Sequence, residues 1–107
     1  MSRFTLDERV RLSIELALTA NDADPLRLQQ QDTEARRLHM SGAEIDAARR
    51  GWSFDVHTSI ALALALGASS GQDVGTQRDR ALRAGIGEAI CDQIEKFAVT
   101  PREKVHD

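Results

Sequence analysis

The side chain with the greatest intrinsic reactivity in this chain is its single thiol, Cys91. It lies in an apolar run, beside Ile90 and one turn before Ile94, and no Lys, Arg or His occurs in the preceding turn. A reactive thiolate needs an electropositive and accessible setting, so the sequence predicts a buried structural cysteine. A redox role for Cys91, through pairing with its copy in another subunit, is a minor alternative.

Asp55, His57 and Ser59 are the residue types of a nucleophilic triad, but their spacing argues against one. Residues two apart on a helix point about 200° away from each other, so these three cannot form one relay. Proton transfer by a histidine needs no thiol, so His57 is a candidate general acid or base. The histidines and the cysteine lack metal-ligand spacing, so neither a metal nor a cofactor is predicted.

The stretch DPLRLQQQ, residues 24–31, predicts a helix start that carries amides in place of reactive groups. Asp24 is suited to the N-cap and Pro25 to the first helical position. Glutamine amides supply neither a nucleophile nor useful proton chemistry.

Helical periodicity and capping signals divide the chain into about six helices. The predicted segments are 6–20, 24–39, 41–51, 56–66, 76–84 and 88–98. Capping boxes are expected at Thr5-x-x-Glu8 and Ser41-x-x-Glu44.

The remaining segments complete an all-α prediction. ASSGQDVG, residues 68–75, is the clearest predicted loop, and residues 100–107 are expected to form a frayed tail. No segment shows strand alternation of useful length. The fold class is therefore all-α, a single-domain bundle of about five to six helices spanning residues 1–107.

The predicted helix around IALALAL, residues 60–66, is apolar on every face. A helix without a polar side is buried all round. In a domain this small, we expect one side to face the chain's own core and the other to face a partner subunit.

Composition excludes several function classes. The 107 residues are enough for one domain, and the net charge of −3 is spread along the chain without the basic face that nucleic-acid binding needs. The longest apolar stretch is shorter than the ~20 residues that span a bilayer, so no membrane partner is expected. One cysteine and no apolar signal core favour a cytoplasmic location.

The order of these segments resembles the alkylhydroperoxidase-D/carboxymuconolactone decarboxylase superfamily. The likeness covers roughly residues 5–99 and is carried by LDERVRLSIELALTAN, DPLRLQQQDTEARRLHMSGAEIDAARRGWSFD, TSIALALAL and RALRAGIGEAICDQIEKFA. In peroxidase-like members, a helix like the first is followed by Cys-x-x-Cys-x-x-x-His and a Gly-Leu-Ser-x-Glu-Glu-Ile element. The resemblance implies an alkylhydroperoxidase-D-like helical bundle that assembles as a homo-oligomer, a trimer or a hexamer.

Aligning residues 39–41 with the Gly-Leu-Ser element places the family motif on the glutamine-rich helix. The two cysteines and the histidine are then replaced by Asp24, Arg27 and Gln31, in that order. The glutamate that assists them falls near Arg11, with Glu8 and Glu15 close by. Peroxide reduction needs a low-pKa thiolate and a resolving thiol, and these positions supply neither.

The expected function is therefore that of a non-catalytic, oligomeric member of the superfamily that binds a small ligand or a partner. The resemblance implies that its candidate ligand-binding residues are Arg27, Gln30 and Gln31, in a polar cleft shared with His57. The alternative is a thiol-independent enzyme of the lactone-decarboxylase type, in which His57 works with Glu8, Glu15 or Asp24. The minor alternative is redox activity at Cys91.

Overall fold

Six α-helices form the fold in the computed structural model, which describes residues 4–21 and 24–99. They are α1 (Glu8–Leu18), α2 (Pro25–Arg37), α3 (Gly42–Arg49), α4 (Val56–Ser70), α5 (Val74–Arg83) and α6 (Glu88–Val99). No strand occurs within the described residues, so the predicted all-α class is confirmed. The predicted tail, residues 100–107, lies outside the described residues.

The start of α1 differs from the prediction. The Asp7 carboxylate accepts a hydrogen bond from the Val10 N–H at 2.9 Å, which makes Asp7 the N-cap. The capping box predicted at Thr5 is therefore wrong, because the carboxylate two residues later already satisfies a free N–H of the first turn.

Two other predicted helix starts are confirmed. The Asp24 carboxylate accepts from the Leu26 N–H at 3.1 Å, with Pro25 in the first turn of α2. At α3, the Glu44 N–H donates to the Ser41 hydroxyl at 3.1 Å, and the Ser41 N–H donates to the Glu44 carboxylate at 2.7 Å. The two reciprocal hydrogen bonds between Ser41 and Glu44 form a complete capping box.

The end of α4 is also later than predicted. The helix continues past Gly67 to Ser70 and ends at Gly71, whose φ is +77°. The N–H groups of Gly71 and Gln72 donate to the Gly67 carbonyl at 2.8 and 3.2 Å. A Cβ at position 67 would lie 3.0 Å from the Gln72 carbonyl oxygen. Because Gly67 has no Cβ, this turn can fold back over the helix. Most of the predicted loop, residues 68–75, is therefore helical or part of a tight turn.

Helix α4 is the centre of the bundle, with α1, α5 and α6 packed against it. Within residues 60–66, the side chains of Ile60, Ala61, Leu62, Leu64 and Ala65 are buried, and only Ala63 and Leu66 are partly exposed. The chain's own helices thus cover the apolar helix on almost every face. Its composition needs no partner subunit to explain it.

The bundle is flat, with principal extents of 37 × 32 × 19 Å. Helix axes in contact lie about 8–10 Å apart, so the short dimension holds two layers of helices. Across the described part of the chain, no helix is both long and apolar enough to cross a bilayer.

Candidate functional site

The polar side chains at the junction of α1 and α2 form a closed hydrogen-bond network. Gln31 is only 3 % exposed, and its Nε2 donates to the Glu15 carboxylate and to the Thr19 hydroxyl, both at 3.0 Å. The Thr19 hydroxyl in turn donates to the Glu15 backbone carbonyl at 2.8 Å. The Gln31 side chain therefore joins α2 to the C-terminal end of α1 through Glu15 and Thr19.

The structure brings together only some of the predicted site residues. Gln31 meets Glu15, whereas Gln30 is exposed on the outer side of α2 and Arg27 is partly buried in its first turn. Asp24 serves as the N-cap of α2. The cleft in which His57 lies is lined by none of these residues. The expected common cleft of α2 side chains with His57 is therefore not formed.

His57 lies instead in a cleft of about 660 Å³, here called the His57 cleft, between the start of α1, α3, the start of α4 and the turn after α5. Its apolar lining comprises Phe4, Val10, Met40, Ala48 and Ala84. Its charged or titratable lining comprises Asp7, Arg9, Glu44, Asp55 and His57. The remaining lining residues are Thr5, Ser13, Ser53, Thr58 and Gly85. A volume of this size falls within the usual range for small-molecule sites.

The His57 ring is held by two neighbours. Its Nε2 lies 2.9 Å from the Ala84 carbonyl oxygen, and the Phe4 ring stacks on it with a centroid separation of 6.1 Å and an angle of 27°. Because a carbonyl only accepts, Nε2 carries the proton and donates. The other ring nitrogen, Nδ1, is then the acceptor in the neutral imidazole.

Asp55 is used as the N-cap of α4. Its Oδ2 accepts from the Thr58 N–H at 2.9 Å and from the Thr58 hydroxyl at 2.8 Å, and these bonds hold the pKa of the Asp55 carboxyl below its usual value. The Ser59 hydroxyl accepts from the Ser53 N–H at 3.3 Å. Asp55, His57 and Ser59 therefore have separate partners, as the helical spacing predicts.

Arg9 and Glu44 join α1 to α3 at the cleft. The Arg9 Nη2 lies 3.2 Å from both carboxylate oxygens of Glu44. Glu44 also completes the cap of α3. The sequence identified Glu44 only as a cap and gave no role to Asp7 or Arg9. The one signal available was capping chemistry, which places carboxylates at helix starts but does not show that two starts meet.

The segment WSFDVH, residues 52–57, alternates between the cleft and the outside of the molecule. Ser53, Asp55 and His57 line the cleft. Trp52, Phe54 and Val56 are 42, 62 and 67 % exposed, and the two aromatic rings make an edge contact at 4.9 Å. This period-two pattern covers too few residues to predict a strand, and its meaning is visible only in the folded chain.

Cys91 is fully buried in the core, as predicted. Its thiol lies 3.8 Å from the Ile86 carbonyl oxygen, the separation of a weak S–H donor bond. Burial raises the pKa of the Cys91 thiol. A buried thiol with a raised pKa is a poor nucleophile.

Comparison with protein-family models, with curated proteins and with solved structures found no match to this chain. Within residues 4–21 and 24–99, no group of three or more His, Cys, Asp or Glu side chains could hold a metal ion.

Proposed function

We propose that this protein is a non-catalytic helical protein that binds a small ligand in the His57 cleft. The observation that carries the proposal is the cleft itself, about 660 Å³ with apolar and charged side chains on its walls. Concave sites with an apolar lining and a few polar groups are the usual form of ligand sites. The candidate binding residues thereby move from Arg27, Gln30 and Gln31 to the side chains around His57.

The α1–α2 junction supports the absence of peroxidase chemistry. In the alignment with the alkylhydroperoxidase-D superfamily, Gln31 stands at the position of the motif histidine. Its hydrogen bond to Glu15 favours Glu15, instead of Arg11, as the counterpart of the family's assisting glutamate. Membership of that superfamily is part of this proposal, and the order of the segments and this contact are its support.

A thiol-independent acid–base enzyme is the second candidate. The observation in its favour is that an imidazole, His57, shares a cleft with the carboxylates of Asp7 and Asp55, which are the groups that proton transfer requires. The predicted partners Glu15 and Asp24 do not line this cleft. The carboxylates of Asp7 and Asp55 each already cap a helix, which makes this candidate the weaker one.

Assembly into a homo-oligomer, a trimer or a hexamer, is also part of the proposal. Its support is the superfamily resemblance together with the exposed apolar side chains of Trp52, Phe54 and Val56. Sedimentation analysis of the wild type measures the mass directly. A monomer at micromolar concentration would remove the assembly from the proposal and leave the cleft untouched.

The binding proposal is tested by filling the cleft. Ala84 lines it and is partly exposed, so Ala84→Phe places a ring inside the cleft. Ala43→Phe makes the same change at an exposed alanine of α3 that does not line the cleft. Small molecules found by protein-observed NMR should lose binding in Ala84→Phe and keep it in Ala43→Phe. Hits that bind both variants equally, or no hits at all, contradict the proposal.

The absence of catalysis is tested on the same samples. Wild type and Cys91→Ser should show no organic-hydroperoxide turnover with a thiol reductant. A lactone panel should show no turnover that depends on His57, with His57→Ala as the comparison. Hydroperoxide turnover lost in Cys91→Ser would move the active site to α6, and lactone turnover lost in His57→Ala would establish the second candidate.

A further inference from the structure

Among the described residues, one guanidinium lines the His57 cleft, that of Arg9, and a neighbouring carboxylate neutralises it. Arg9 donates to both oxygens of the Glu44 carboxylate at 3.2 Å. The same carboxylate accepts from the Ser41 N–H at 2.7 Å. Arg9 and Glu44 are therefore engaged with each other, and neither provides an unmatched charge for a ligand.

Two further carboxylates line the cleft, and each uses only one of its oxygens. The Oδ1 of Asp7 accepts from the Val10 N–H, and the Oδ2 of Asp55 accepts both hydrogen bonds from Thr58. Among the described residues, no donor contacts the second oxygen of either carboxylate. Ionised carboxylates offer two oxygens and about four acceptor positions, so each retains acceptor capacity.

The helix ends around the cleft do not reverse the sign of its charge. The starts of α1 and α4 each contribute about half a positive elementary charge, which offsets part of the charge on Asp7 and Asp55. The end of α5 brings the opposite partial charge, and its C-cap residue, Ala84, lines the cleft. The described lining contains three carboxylates, on Asp7, Glu44 and Asp55, against the one guanidinium of Arg9, so its formal charge is negative.

The remaining wall is hydrocarbon. Phe4, Val10, Met40, Ala48 and Ala84 line the same space. Each methylene buried against such a surface improves affinity about fourfold. A ligand that suits the cleft therefore carries positive charge at one end and an apolar chain behind it.

From this juxtaposition we propose that the His57 cleft binds an organic cation, an ammonium group on an apolar chain, with Asp7 and Asp55 as the acceptors of its N–H donors. This inference rests on the proposed binding function and adds the class of ligand. The ammonium occupies the negative part of the cleft, and the chain lies against the apolar wall.

Three probes of equal chain length test the charge: octylammonium, octanol and octanoate. Titration calorimetry on the full chain, with NMR to locate the site, should give octylammonium an affinity at least about tenfold above that of octanol, equivalent to 1.4 kcal/mol. Octanoate should show no binding. Added salt should weaken octylammonium and leave octanol unchanged, because screening acts on the charge alone.

Asparagine substitutions remove the charge without removing a helix cap, since Asn and Asp are similarly good N-caps. Asp55→Asn and Asp7→Asn should each weaken octylammonium about tenfold and leave octanol unaffected. Asp24→Asn is the matched control, because Asp24 caps α2 and does not line the cleft. Its affinity for octylammonium should equal that of the wild type.

The outcomes separate this inference from the binding function on which it rests. If octanol binds in the cleft as tightly as octylammonium, or if Asp55→Asn and Asp7→Asn leave octylammonium affinity unchanged, the cation assignment is wrong although the cleft binds a ligand. Preferred binding of octanoate overturns it in the same way. If none of the three probes nor any molecule of a wider screen shifts the NMR signals of the cleft, the binding function itself fails.

Discussion

The α1–α2 junction around Gln31 and the His57 cleft contain similar polar side chains, yet the first is closed and the second is open. At the junction, two helices lie side by side, and the Gln31 amide reaches Glu15 and Thr19 at 3.0 Å. At the cleft, α1 and α4 begin and α5 ends. Helix sides interdigitate, whereas helix ends present caps and backbone and leave space between them. Open space, more than residue type, distinguishes the two regions.

The largest expected difference between closed and open positions is in thiol reactivity. Cys91 is fully buried and its pKa is raised by burial, so alkylation requires the chain to open. The double variant Cys91→Ser/Ser53→Cys lacks the buried thiol and has a thiol in the partly exposed lining of the cleft instead. We expect this thiol to react about a thousand times faster than Cys91, a ratio that corresponds to an opening free energy of about 4 kcal/mol.

Alkylation rates followed by mass spectrometry measure that ratio. Denaturant should remove the difference, because both thiols are then exposed. Rapid alkylation of Cys91 in the native protein would show that α6 opens easily, and it would return the redox alternative to consideration.

The second expected effect concerns the network itself. Gln31→Ala removes both side-chain hydrogen bonds to Glu15 and Thr19 and leaves a void between α1 and α2. We expect it to lower the free energy of unfolding by about 2–3 kcal/mol. Gln30→Ala, the same change at the exposed neighbour, should stay within about 0.5 kcal/mol of the wild type. Urea denaturation followed by circular dichroism gives both values, and equal effects would mean that the junction is not a closed network.

A third, smaller effect is expected at the cap in the cleft. Asp55→Ala should cost about 1 kcal/mol of unfolding free energy at pH 7, and Asp55→Asn only a few tenths. The pKa of Asp55 is lowered in the folded protein by its bonds from Thr58. Its ionised form therefore adds stability above its unfolded pKa of about 3.9, and this contribution is lost as the pH falls through the lower folded pKa.

Denaturation of wild type and Asp55→Asn from pH 7 to pH 2 isolates that contribution. The stability difference between them should be constant above about pH 5 and should shrink in acid. If the stability difference instead grows as the pH falls, the pKa of Asp55 is raised in the folded protein, and the hydrogen bonds of the cap do not stabilise its ionised form.

The smallest effect is expected at the surface of the junction. Arg37 forms ion pairs with Glu34 on its own helix and with Glu8 on α1, and these partners raise its pKa further. All three side chains are exposed enough for water and salt to screen them. Arg37→Ala should leave the urea midpoint unchanged within error, at low and at high salt. A clear decrease in the urea midpoint would show that the surface ion pairs, together with the buried Gln31 amide, hold α1 against α2.

Several features of the fold could be predicted because they depend on neighbours in sequence. The caps at Asp24 and Ser41 are confirmed. A cap or a turn involves residues within four positions of each other. The end of α4 was predicted wrongly because the role of Gly67 depends on the turn that folds back over it.

The candidate site was harder to predict, because it combines distant parts of the chain. The sequence indicates that Gln31 and Glu15 are notable polar residues, but their contact spans sixteen positions and two helices. Arg9 reaches Glu44 across thirty-five positions. No periodicity or motif links such pairs. The sequence therefore predicts a ligand site at the polar residues of α2, where the folded chain has a closed hydrogen-bond network.

By itself, the sequence determined that the chain is helical, where most helices begin, and that it has one buried thiol and no thiol pair. Those properties follow from side-chain type and from spacings of two to four residues. Only the tertiary structure decided that α4 is covered by its own chain, that Gln31 bonds to Glu15 and Thr19, and that the starts of α1 and α4 meet the end of α5 around His57. These outcomes depend on how whole helices pack, and packing is set by all the apolar faces together.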